Sequence, residues 1–160
     1  MNIMKTAALA LTLALPLGAA HAVEPKANVL QVAEYSGDFT VLLTAATKAG
    51  LLNSLADPRH KLTVFAPTDE AFAKLPRGTV QFLLDPRNKD ELVRFVKNHI
   101  IMGSIGSASF ADETLNLPTL SGDMIKLGGT NIGKARITNA DIVATNGVVH
   151  VIDQVLIPGA

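Results

Sequence analysis

The hydrophobic period of this chain changes once, just after Ile101, and that change limits the fold more than any other feature. Before it, apolar residues recur at helical spacing. Phe39, Leu42, Leu43, Ala46 and Leu51 fall near the helical period between Asn28 and Leu55, with Gly50 as a break. "GTVQFLL" (78–84) and "NKDELVRFVKNHI" (88–100) continue the pattern, and Leu92, Phe95, Val96 and Ile100 share one face. After Ile101, "TLNLPTL", "DMIKLGG", "KARITNADIVAT" and "VVHVIDQVLIP" are short β-type runs punctuated by Gly, Asn and Pro. Helices first and strands second predict an α+β fold. One segment crosses that division. "KLTVFAP" (61–67) reads as a short buried strand, Lys61–Ala66, stopped by Pro67, and it must join the later strands.

Two local signals sharpen this plan. Thr68 is the expected N-cap of a helix, with Asp69 and Glu70 in its first turn, where carboxylates suit the positive helix end. Asn146-Gly147, flanked by apolar alternation, predicts a β-hairpin because both residues tolerate positive φ.

The first residues, "MNIMKTAALALTLALPLGAAHAVEP", carry Lys5, an apolar run from Ala7 to Leu17 and the small-x-small pattern Ala20-His21-Ala22. This reads as a cleaved signal peptide, residues 1–22; the apolar run is too short to span a bilayer. The expectation is an exported protein, periplasmic or extracellular, with one domain over 23–160. The sequence has neither an internal repeat nor a linker, and this length is enough to bury a core. There is no cysteine, hence no disulfide and no lipid attachment at the cleavage point.

Charge and composition narrow the partners. Basic and acidic residues number fourteen each, and removal of Lys5 with the leader leaves the acids one in excess. Without basic clusters, nucleic acid and anionic membrane surfaces are not expected partners. Six Phe, one Tyr and no Trp make stacking platforms for sugars less expected.

No catalytic constellation emerges. "GGTNIGKA" (128–135) matches a phosphate loop except at Ala135, where a hydroxyl should hold Mg²⁺, and strand follows where a helix should. It reads as a glycine-rich turn. His60 reads as a solvated loop residue, while His99 and His150 sit in apolar runs as hydrogen-bonded core residues. The three lie in separate elements without the spacing of a zinc site. Ser104, Ser107, Ser109 and Ser121 lie in loop-like stretches with no G-x-S-x-G elbow. Asp90-Glu91 and Asp112-Glu113 are adjacent pairs, which do not face each other across a site.

"TVFAPTDEAFAKLP" (63–76) and "NGVVHVIDQVLIP" (146–158) resemble the two signatures of the fasciclin (FAS1) domain family, in order and at domain-scale separation. Between them that family carries a Tyr-His pair after a helix; here the pair is Asn98-His99. The resemblance runs from about Asn28 to Pro158. It implies a wedge-shaped β-sandwich with helices packed around it, a secreted or surface-bound adhesion module, no cofactor and no catalysis. Its partner would be a cell-surface or matrix protein or a polysaccharide. It also makes Thr68, Asp69, His99, Asn146, Gly147 and His150 structural residues, with Asp69 a candidate to orient His99. Adhesive members carry an Asp-Ile pair linked to receptor binding, which Asp141-Ile142 matches. Two alternatives for that pair stay open: Ile142 as core and Asp141 as a turn end. Two rival functions also stand, a small-ligand or lipid binder with a groove between helices and sheet, and a metal-dependent hydrolase using His99 and His150.

Overall fold

The computed structural model describes residues 27–157; the expected leader lies outside them. Three helices come first: α1 Val29–Ser36, α2 Thr40–Ala49 and α3 Leu52–Ala56. The single helical pattern read over this stretch is cut where Gly37 and Gly50 adopt left-handed conformations, φ 77° and 75°, that end α1 and α2. Asn28 and Gln31 form a reciprocal capping box at the start of α1.

The first strand, β1, runs Leu62–Pro67, one residue beyond the expected end. Pro67 lacks an N–H but lies opposite Ile152 in the ladder, where no donor is asked of it. Then follow α4 Asp69–Ala73, α5 Thr79–Leu84, a 3₁₀ turn at Pro86–Asn88 and α6 Lys89–Lys97. The amphipathic face of α6 ends with Val96; Ile100 belongs to the next element, β2 Ile100–Met102. The remaining strands are β3 Leu115–Pro118, β4 Met124–Gly128, β5 Asn131–Ile132, β6 Ala135–Ala144 and β7 Gly147–Ile152. The glycine-rich segment 128–135 forms the tight turns joining β4, β5 and β6, as expected of a turn and not of a phosphate loop.

The strand order is β2-β1-β7-β6-β5-β4-β3. Among the described strands only β1 and β7 pair in parallel, six residues against six. A bridge between Ile101 and Thr119 joins the two ends of this order, so the sheet folds over on itself as a sandwich. All residues of β1 and β7 are buried, because this central pair has a core on each face. On one face, Val64, Ala66, Val149 and Val151 meet Phe39, Leu42, Leu92 and Phe95 from the helices. On the other, Phe65 and Ile152 meet Phe110, Leu127, Ile132 and Leu156 inside the sandwich.

The predicted hairpin joins β6 to β7, with its turn one residue earlier than expected. Thr145 and Asn146 form the turn, and Gly147 already pairs with Ala144. Neither Thr145 nor Asn146 has positive φ. Gly147 is required by closeness instead: a Cβ there would lie 1.8 Å from the Leu62 carbonyl oxygen.

Candidate functional site

Thr68 caps α4 as expected, its hydroxyl accepting the Ala71 N–H at 3.2 Å. Asp69 does something else. Its carboxylate accepts the Val41 N–H at 2.9 Å, satisfying the first turn of α2, where Phe39 has no capping side chain. The expected Asp69–His99 contact is therefore absent: both ring nitrogens of His99 are bonded elsewhere.

His99 is fully buried where α6 turns into β2. Its Nδ1 donates to the Phe95 carbonyl at 2.8 Å, and its Nε2 accepts the Leu156 N–H at 2.9 Å. The second bond fixes the tautomer with the proton on Nδ1. Burial lowers the pKa from 6.5 to about 4, with the Phe95 carbonyl opposing the shift. Beside it, Asn98 donates to the Leu156 carbonyl at 3.1 Å and accepts from Thr119 and Ser121. The residue that replaces the family's tyrosine is thus a buried amide with its polar atoms engaged.

His150, also fully buried, projects from the middle of β7 into the sandwich. It stacks on Phe65 at 5.5 Å and meets Phe110 edge-on at 5.7 Å. Its Nδ1 accepts the Asp141 N–H at 3.1 Å, so the proton sits on Nε2, which donates to the Ile105 carbonyl at 2.7 Å. By these bonds the two histidines carry opposite tautomers.

Asp141 reaches His150 because β6 shifts register twice between Ile137 and Ile142. It is the one non-glycine residue with positive φ among the described residues, at 59°. Its carboxylate accepts both the Ser107 N–H, at 2.7 Å, and the Ser107 hydroxyl. Those donors hold its pKa below the usual carboxylate range, with burial opposing. Thr63 completes the arrangement, donating to the Gly103 carbonyl and accepting the Ile105 N–H. Segment 103–107 is thereby tied to the sheet from three residues. Ser107, Asp141 and His150 are the residue types of a hydrolytic triad in another wiring. The serine bonds the carboxylate directly, and neither imidazole nitrogen is available to accept its proton.

Ile142 is half-buried with its side chain on the helix-side core, while Val143 beside it is 57% exposed. The core alternative for Ile142 therefore holds in part, and the outward apolar group of this strand end is Val143. Asn146 is fully buried. Its amide donates to the Leu55 carbonyl at 2.6 Å and accepts the Val29 N–H at 3.0 Å, joining α1, α3 and the hairpin.

His60 is exposed beside Asp57, as expected of a loop histidine. Among the described residues, no group of three or more His, Asp or Glu is disposed to hold a metal ion, and no helix is long and apolar enough to cross a membrane. The space between helices and sheet, under His99, amounts to about 20 Å³, room for one water and no ligand. A more open groove of about 310 Å³ runs between Leu51, Leu55, Leu62, Met102 and Leu120, with Lys97 and Asp57 on its rim.

Of these residues, sequence reasoning missed Leu156 as a partner of His99, and Ser107 and Thr63 as the residues that tie segment 103–107 to the sheet. No motif marks a loop serine or a strand threonine for such a role.

Comparison with known proteins gives a consistent picture. The family model of the fasciclin domain matches residues 37–158. A Synechocystis protein, "Protein sll1483", is 39% identical over 135 residues, spanning 82% of this chain and 73% of that one. "Transforming growth factor-beta-induced protein ig-h3" of Oryctolagus cuniculus is 38% identical over 140 residues, 82% of this chain but 19% of that protein. "Fasciclin-like arabinogalactan protein 15" of Arabidopsis thaliana is 32% identical over 82% of this chain and 31% of its own length. Among solved structures, a FAS1 domain pair from the insect cell adhesion molecule fasciclin I aligns with a TM-score of 0.61 at 17% identity. That alignment covers 83% of this chain and 51% of the other, and at such identity the likeness is one of fold.

Proposed function

Because the chain belongs to the fasciclin domain family, we propose that it is an exported adhesion or protein-interaction module, one domain over 23–160 freed of the leader 1–22, and not a catalyst. The observation that carries this reading is the engagement of His99 and His150. All four ring nitrogens bond to the backbone, so the groups best suited to proton transfer serve the scaffold. The scaffold in turn presents the end of β6 to solvent. Asp141 and Ile142 remain the proposed contact there, with exposed Val143 supplying apolar area beside a carboxylate. The partner chemistry that suits such a surface is a cell-surface or matrix protein or polysaccharide.

The test immobilises the purified protein and exposes it to solubilised cell-envelope material. Val143→Asp and Asp141→Asn should each reduce capture while their melting curves stay close to wild type. Undiminished capture by both variants would remove β6 as the contact.

A second reading, a small apolar ligand, draws support from the groove beside Met102 and Leu120, whose volume reaches the lower range of ligand sites. Its check is an environment-sensitive apolar dye, displaced or excluded when Leu120→Arg fills the groove.

A further inference from the structure

Asn146-Gly147 is the one Asn-Gly step in the chain, and it carries a chemical liability that the fold holds in check. In a flexible chain, the backbone nitrogen of the residue after asparagine attacks the side-chain carbonyl carbon. Glycine permits this best because no Cβ crowds the approach. A bond forms from Gly147 N to Asn146 Cγ, the Cγ–Nδ2 bond breaks, and ammonia leaves with the proton given up by the glycine nitrogen. Water then opens the cyclic imide at either carbonyl. One opening leaves aspartate; the other leaves isoaspartate, with the main chain rerouted through the side chain and one carbon longer. The net reaction consumes one water and releases one ammonia.

In the folded protein the asparagine side chain, which that reaction needs free to move, is held in place. Asn146 is fully buried, its amide nitrogen donates to the Leu55 carbonyl and its amide oxygen accepts the Val29 N–H. Its backbone carbonyl accepts the Leu62 N–H at 3.0 Å, and Gly147 pairs with both Leu62 and Ala144. The side chain cannot swing toward the next nitrogen without breaking the junction of α1, α3 and β7.

We propose that Asn146-Gly147 is a deamidation site that opens only on unfolding and then bars return to the native state. Either product is incompatible with the junction. Aspartate would set a carboxylate against the Leu55 carbonyl, where the amide donated. Isoaspartate would displace β7 against β1 at the first residue of a six-residue register that tolerates no side chain at Gly147. The site acts as an irreversible record: each excursion to the unfolded state risks conversion, and converted chains leave the folded pool.

The experiment incubates the purified protein at mildly alkaline pH, half in native buffer and half in concentrated urea, and follows the 146–147 peptide by mass spectrometry. The native sample should convert about a thousandfold more slowly, since conversion tracks the unfolded population. Converted protein, once diluted from urea, should not regain the wild-type melting transition, whereas urea-treated protein sampled before conversion should. Gly147→Ala held in urea, where no folding is needed, should convert far more slowly and so identify the attacking nitrogen. Equal conversion in the two buffers, or a wild-type transition in fully converted protein, would overturn the proposal.

Discussion

His99 and Leu156 are joined by one hydrogen bond, the Leu156 N–H donating to His99 Nε2 at 2.9 Å, and neighbouring Asn98 takes the carbonyl of the same leucine. Both polar groups of one peptide residue are therefore claimed by adjacent side chains at the end of α6. The clamp pins the chain beyond β7 to the helix layer, and it works only with a neutral imidazole.

That neutrality makes stability depend on pH. Burial lowers the folded pKa of His99 to about 4 against 6.5 in the open chain. Between those values the unfolded state binds a proton that the folded state refuses. The contribution is therefore intact above 6.5 and is lost as pH falls toward 4, by about 3 kcal/mol across the window. Urea midpoints for wild type and His99→Gln should diverge less at pH 4.5 than at pH 7. Parallel pH profiles would show that another group governs acid unfolding.

Thr68→Ala removes the one side-chain cap of α4 and should cost about 1 kcal/mol. Asp69→Ala should cost a similar amount through a different helix, because it strips the acceptor of the Val41 N–H in α2. Hydrogen exchange separates them: Ala71 should gain exchange in the first variant and Val41 in the second. Faster exchange at Val41 in Thr68→Ala would mean that the two caps are not independent.

Gly147→Ala should destabilise by more than 3 kcal/mol, since its Cβ would fall 1.8 Å from the Leu62 carbonyl oxygen and the parallel pair has no slack to widen. Soluble, cooperatively melting protein within a few degrees of wild type would contradict the close approach.

At Asp141 the backbone sets the cost. Asn tolerates φ 59° and keeps one acceptor for Ser107, so Asp141→Asn should shift stability by less than about 0.5 kcal/mol. Asp141→Val places a β-branched residue in the left-handed region and loses the Ser107 contact, at about 2 kcal/mol. Thermal melts of the pair decide it, and equal melting temperatures would argue that segment 103–107 is held without Asp141.

What was legible in the sequence follows the range of the forces. The Thr68 cap, the break at Gly50 and the β6–β7 hairpin are set by neighbours a few residues away, and local chemistry names them. The α+β plan follows from the change of period, and the burial of His99 and His150 from their apolar runs. The position of the turn was less legible. Asn146-Gly147 carries the local signature of a positive-φ turn, yet the packing of Leu62 against Gly147 draws the glycine into the strand and moves the turn to Thr145-Asn146. The same holds for Asp69, whose partner Val41 lies on another helix, and for Asp141, whose strain and bond to His150 arise from register shifts that no spacing announces. Contacts across the fold are fixed by packing geometry, and a linear pattern carries little of it.

The parallel pairing of β1 with β7 also sets an order of events in time. The two strands at the centre of the molecule are far apart in the chain, Leu62 pairing with Gly147, and each face of the pair belongs to a different core. Closing so long a loop costs entropy that only the pairing with β7 repays. Without β7, the helices that precede it lack the sheet face against which Val64 and Ala66 join Val149 and Val151 in one core.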